Sequence, residues 1–143
     1  MKTYKNLYPK LCSYKNLERA FYKARKNKPR KFYIEEFEKN LQENLLSLKK
    51  DLEHLKYKPE PLTKFIINDP KTRVIRKSIF RDRIVHHAIV NIVEPIFDKT
   101  FIFDSYANRL EKGTTTALIR YDFFKRKVSK NGGSNNGYYR TYL

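Results

Sequence analysis

Between residues 34 and 56 apolar side chains recur every three or four positions: Ile34, Phe37, Leu41, Leu45, Leu48, Leu52 and Leu55, with Glu, Lys and Gln filling the other face. That spacing draws one stripe along a helix, so the pattern predicts a long amphipathic packing helix. Tyr57-Lys58-Pro59-Glu60-Pro61 stops it, because proline has no N–H and clashes with the preceding turn. Three heptads are marginal support for a coiled-coil dimer. Leu17, Phe21 and Tyr22 predict a shorter basic helix near residues 15–26, closed by Asn27-Lys28-Pro29. A membrane-surface helix would read similarly.

The period then changes. Thr63-Lys64-Phe65-Ile66-Ile67 and Arg73-Val74-Ile75-Arg76 are short strand patterns around the turn residues Asn68-Asp69-Pro70-Lys71, which predicts a β-hairpin with a basic tip and return strand. Residues 81–99 carry the broad stripe Ile84, Val85, Ala88, Ile89, Ile92, Val93, Ile96 and Phe97, the mark of a largely buried helix. Asp82 suits its positive end, and Pro95 predicts a kink or an end to the regular part. Thr114-Thr115-Thr116 offers capping hydroxyls for a third helix over about 115–128, which finishes on Lys125, Arg126 and Lys127. Asn131 to Gly137 reads as a flexible loop, and Tyr138-Tyr139 begins a strand-like run. The fold class expected is α+β and mostly helical.

Charge changes the picture. The chain has 143 residues, enough for about one domain, and a formal net charge of +17 from 32 Lys+Arg against 15 Asp+Glu. Such an excess repels itself in a compact fold and calls for a polyanion; nucleic acid fits, since each neutralised phosphate releases counterions. AT-rich coding, which favours Lys and Asn, is the bland alternative. Cys12 is the only cysteine, which excludes an intrachain disulfide and a cysteine metal site. No apolar stretch follows Met1-Lys2-Thr3-Tyr4-Lys5, and no run approaches the roughly 18 residues a bilayer needs. The expectation is a cytoplasmic protein without a membrane partner.

His86 and His87 are neighbours, pointing about 100° apart on a helix, so they do not share an ion as an i, i+4 pair would. Ser13, Ser47 and Cys12 lack base and acid partners nearby, which leaves nucleophilic catalysis unsupported. The many Tyr and Phe residues suit base stacking or a core built without Trp; the core is the better assignment.

Several ordered blocks carry a resemblance: Asp69-Pro70-Lys71-Thr72-Arg73-Val74-Ile75, then Phe80-Arg81-Asp82-Arg83-Ile84-Val85-His86-His87-Ala88-Ile89, then Glu94-Pro95-Ile96-Phe97-Asp98-Lys99, then Phe101-Ile102-Phe103-Asp104-Ser105-Tyr106-Ala107-Asn108-Arg109. Over about residues 60–130 the chain resembles the fingers region of bacterial reverse transcriptases of diversity-generating retroelements, retrons and group II introns. The resemblance implies an incomplete right-hand polymerase fingers subdomain at 61–130. A basic N-terminal helical extension precedes it at 1–60, and a loop with the truncated start of a palm strand follows at 131–143. It also implies that Arg73 and Arg81 (first block) with Ser105 and Arg109 (second block) bind nucleotide and template phosphate, with Lys71, Arg76, Lys77 and Lys112 as auxiliary contacts. Guanidinium supplies the bidentate geometry that phosphate recognition uses. Arg81 and Arg83 flank Asp82; one of them can pair with it, and Arg81 is the one expected to face the ligand.

Two departures stand out. Ser78 occupies a position where proline is common, and Glu111-Lys112-Gly113-Thr114-Thr115 replaces Gly-Lys-Gly-Thr-His. The family's metal-holding aspartates have no counterpart here; Asp98, Asp104 and Asp122 match non-catalytic segments. Two-metal nucleotidyl transfer needs such carboxylates, so Mg²⁺ is expected only for the complete family enzyme, and no catalytic or metal residue is assigned. The expected function is a truncated RNA-directed DNA polymerase that binds RNA template and RNA/DNA duplex and does not polymerise alone. A stand-alone RNA-binding module and a partner chain for a separate palm-bearing subunit are the alternatives.

Overall fold

The computed structural model describes residues 3–28, 31–107 and 109–129. The loop and strand expected over 131–143, like Pro29 and Asn108, lie outside the described residues. The order of elements is α1 (Leu7–Cys12), α2 (Tyr14–Arg25), α3 (Phe32–Lys39), α4 (Leu41–Glu53), β1 (Thr63–Ile67), β2 (Arg73–Lys77), α5 (Phe80–Asp98) and α6 (Thr114–Val128). The architecture is α+β, mostly helical, with one two-stranded antiparallel sheet. The chain divides into two compact units, Met1–Lys99 and Thr100–Leu143.

In the first unit, Ser13 caps α2, its hydroxyl accepting from the Asn16 N–H at 3.4 Å. The buried face of α2 is Leu17, Ala20, Phe21 and Ala24, a strict i, i+3, i+4, i+7 series. Tyr22 departs from the expected stripe: one residue on from Phe21 it is turned about 100° away and is 55% exposed. Phe21 packs at 5.9 Å from Phe80 and 6.0 Å from Phe37, and Phe37 lies 5.5 Å from Phe80. Each such ring contributes about 1.5–3 kcal/mol through burial and more through edge-to-face geometry. Helices from both sides of residue 60 share this core, α2 and α4 lying with α5.

Asn16 fixes the α2–α5 contact. Its side-chain amide donates to the carbonyls of Leu11 at 3.0 Å and Ala88 at 3.1 Å, and accepts from Asn91 Nδ2 at 3.1 Å. At about 1 kcal/mol net for each bond, Asn16→Ala is expected to lower unfolding free energy by about 2 kcal/mol, read from urea or thermal melts.

The long helix expected over 34–56 is two helices. Asn40 leaves helical geometry (φ −123°, ψ 43°), and Asn44 Nδ2 donates to the Phe37 carbonyl at 3.0 Å, which the break frees from its helical partner. One residue of break preserves the apolar period, so Ile34, Leu45, Leu48 and Leu52 still reach the core. Leu55 does not: it follows the helix end in the left-handed region (φ 56°) and is 78% exposed.

Helix α5 is buried only in its first half, at Phe80, Asp82, Ile84, Val85 and Ala88. Ile89, Val90 and Phe97 are exposed. A 12-residue α2 spans about 18 Å and a 19-residue α5 about 28 Å, so the partner is too short to cover the whole stripe. Pro95 sits inside the helix without ending it. In the second unit, Gly113 rather than a threonine occupies the N-cap of α6, with no side-chain cap bond.

Candidate nucleic-acid interface

The strand residues pair Thr63 with Lys77, Lys64 with Arg76, Phe65 with Ile75, Ile66 with Val74, and Ile67 with Arg73. Side chains alternate between faces along a strand. One face therefore carries Thr63, Phe65, Ile67, Arg73, Ile75 and Lys77. The other carries Lys64, Ile66, Val74 and Arg76, so the basic residues grouped by sequence divide between two faces.

The second face matters most. Lys64 and Arg76 stand directly opposite each other, both exposed. Opposed like charges destabilise a strand pair, and the sole acid of the hairpin, Asp69, is in the turn. Beside them lie the exposed apolar side chains Ile66 and Val74. Lys64 is absent from the sequence-derived set; the strand that carries it was visible, but the cross-strand register that places it against Arg76 was not.

The base of the hairpin is anchored by one buried carboxylate. Asp82, in the first turn of α5, is 1% exposed. It accepts from the Tyr57 hydroxyl at 2.8 Å and from the Glu60 N–H at 3.0 Å. Burial and Asp82 push the Tyr57 phenol well above its ordinary pKa, so it stays a donor. The segment entering β1 is thus tied to the helix that follows β2.

Arg81 is engaged within the fold. Its Nη2 meets Asp51 at 2.7 Å, its Nη1 lies 3.9 Å from Asp82, and its guanidinium lies 5.0 Å from the centre of the Tyr57 ring. Arg83 instead lies over Tyr33 and Phe80, with Nε donating to the Ser78 carbonyl at 3.2 Å. His87 is half-buried and His86 exposed. Lys71 and Arg73 are exposed.

The second unit holds Ser105, Arg109 and Lys112 together by backbone contacts. Arg109 Nη1 donates to the carbonyls of Ser105 at 3.0 Å and Ile102 at 3.3 Å. Lys112 Nζ donates to the Phe103 carbonyl at 2.8 Å and sits 3.5 Å from the Phe103 ring centre. Arg120, which sequence reasoning passed over, binds both oxygens of Asp104 at 2.8 and 3.4 Å and lies 4.5 Å from the Phe124 ring centre. Phe103, Tyr106, Lys112 and Arg120 help line an open cavity of about 290 Å³.

The hydrogen bond from Arg120, assisted by one from Tyr106, holds the Asp104 carboxyl below its ordinary pKa although desolvation works against it. A carboxyl depressed on folding contributes stability above its unfolded pKa of about 3.9 and loses it as pH falls through the folded value. An NMR titration is expected to place the Asp104 midpoint below that of an ordinary aspartate, with Arg120→Ala returning it.

Three of the acids are already engaged within the fold. Asp104 is taken by Arg120 and Tyr106, Asp82 by Tyr57 and Glu60, and Asp51 by Arg81. Among the described residues no three His, Cys, Asp or Glu side chains gather closely enough to hold a metal ion. No helix among them is long and apolar enough to cross a membrane. Comparison with known proteins returns no family model that matches the chain and no curated protein similar to it in sequence. The class that stands is a basic, mostly helical α+β protein carrying an exposed cationic hairpin.

Proposed function

We propose that this chain is a nucleic-acid-binding module of the reverse-transcriptase fingers type, gripping the phosphates of an RNA template through its hairpin. The observation that carries it is Lys64 directly facing Arg76 on an exposed sheet with no acid on either strand. That pairing costs stability in the free protein and is relieved by a phosphate between the two side chains. Ile66 and Val74 beside it offer apolar surface to sugars and bases. Lys71, Arg73 and Lys77 add positive charge at the tip, on the opposite face and at the base of the hairpin. Arg81, committed to Asp51, acts by holding the loop before β1 rather than by meeting phosphate. Polymerisation is not proposed for these residues.

A second reading, docking on a separate palm-bearing chain, is favoured by α6, which buries none of its residues and exposes Leu118, Ile119 and Phe123. Such a surface is characteristic of a contact with another protein.

The test is a labelled single-stranded RNA titrated over a salt series. Wild-type affinity is expected to fall steeply with salt. The Lys64→Gln, Arg76→Gln double variant is expected to flatten the log–log slope by about 1.4, near 0.7 for each single-strand phosphate contact. An unchanged slope and affinity would refute the hairpin as the binding element.

A further inference from the structure

A second cluster of positive charge lies in the first unit, and of its members only Lys77 is among the phosphate contacts expected from sequence. It centres on Tyr33 of α3, a half-buried ring with two cations from later in the chain over it and a third, Lys28, close enough for its charge to act on it. Lys77 Nζ, from the end of β2, lies 5.0 Å from the ring centre. The Arg83 guanidinium, from α5, lies 5.3 Å from it. Lys28, from the loop after α2, contributes its charge at the Tyr33 hydroxyl.

Two cations over one ring are explained by the attraction of its π face. The rest of the arrangement is not. Burial pushes the Tyr33 phenol up, yet a hydrogen bond from Arg83 and the charges of Arg83, Lys77 and Lys28 bring it below its ordinary pKa. Burial and then Lys28, Lys23, His86 and Arg83 hold the His87 imidazole below its own. Among the described residues no carboxylate acts on either side chain. The donors are only partly used: Lys28 Nζ gives one bond, to the Ala24 carbonyl at 3.2 Å, and Arg83 gives Nε to Ser78 and one bond to the Tyr33 hydroxyl. A guanidinium fork and two ammonium groups with spare N–H bonds, without a counter-ion among the described residues, are the chemistry of an oxyanion site.

We infer that Lys28, Lys77 and Arg83, gathered on Tyr33, form a phosphate-binding site distinct from the Lys64–Arg76 face of the hairpin. The ligand is a phosphate oxyanion, and its source is the backbone of a bound RNA strand or a free oligophosphate. The RNA source rests on the function proposed above; the site itself does not. His87 reports occupancy, because an anion placed there offsets the cations that hold its pKa down.

The experiment titrates the full chain with inorganic tripolyphosphate, and separately with single-stranded RNA, while following the His87 imidazole by NMR. Tripolyphosphate is expected to raise the His87 pKa. The Lys28→Gln, Arg83→Gln double variant is expected to lose at least tenfold in tripolyphosphate affinity, whereas the charge-matched Lys39→Gln, Lys50→Gln variant loses less than twofold. Lys28→Gln alone, altering only a loop side chain, is expected to weaken binding severalfold and covers the case in which Arg83→Gln perturbs the fold. Equal losses in the site and control variants, or a His87 pKa indifferent to tripolyphosphate, would overturn the inference even if RNA binds. Tripolyphosphate binding at His87 without RNA binding would uphold the site, assign it to a free oligophosphate and sink the RNA reading instead.

Discussion

Replacing Asp82 by alanine is expected to lower the unfolding free energy of the first unit by about 3 kcal/mol and to loosen the hairpin where it joins the helices. The side chain is buried and both carboxylate oxygens accept hydrogen bonds, one from the Tyr57 hydroxyl and one from the Glu60 N–H. Removing the acceptor leaves these donors unpaired at about 1–3 kcal/mol each, and Arg81 loses the more distant of its two carboxylate partners, at 3.9 Å against 2.7 Å for Asp51. Against a typical total of about 5–15 kcal/mol, that loss is large. Asp82→Asn keeps one acceptor oxygen and is expected to recover part of it. Denaturant melts give the first quantity. Amide exchange at Glu60 and along β1 gives the second, and slow exchange there in the alanine variant would show that the anchor is elsewhere.

Much of this fold was legible because most elements follow one rule each. Leu17 and Phe21 in α2, and Thr63–Ile67 turning into Arg73–Lys77, are written in local period and turn chemistry. The misreadings come from partners that local pattern does not contain. The stripe of α5 runs on past Ala88, but whether its far end at Phe97 is covered depends on the length of α2. The break at Asn40 keeps the apolar period intact, so only the Asn44 side chain reaching back to Phe37 reveals it.

The candidate sites show the same division. That the hairpin is basic was plain from Lys71, Arg73, Arg76 and Lys77. That Lys64 faces Arg76, that Arg81 is drawn to Asp51 some thirty positions earlier, and that Lys77 and Arg83 lie over Tyr33 all depend on long-range placement. A charged residue in sequence has no stated partner. In three dimensions, the presence or lack of that partner separates a structural ion pair from a ligand-binding cation.

That distinction has a measurable signature at position 76. Arg76→Glu is expected to move stability and binding in opposite directions. In the free protein a carboxylate there faces Lys64 and turns a repulsive cross-strand pair into an attractive one, a gain of about 0.5 kcal/mol, reduced by exposure and salt. With RNA, the same change deletes one phosphate contact and sets a negative charge beside the strand, so affinity is expected to fall about tenfold or more and the salt slope to flatten. Lys50→Glu makes the same change in net charge away from the hairpin and is expected to weaken binding by less than about threefold, since exposed charges beyond a Debye length of about 8 Å are largely screened. A thermal melt and an RNA titration on these two variants settle the matter together. A solvated Arg76 with no ligand would leave binding in line with the Lys50→Glu control, and an Arg76 holding the hairpin together would lower the melting temperature. Only a cation kept against its own repulsion for the sake of a phosphate yields a more stable protein that binds RNA less well.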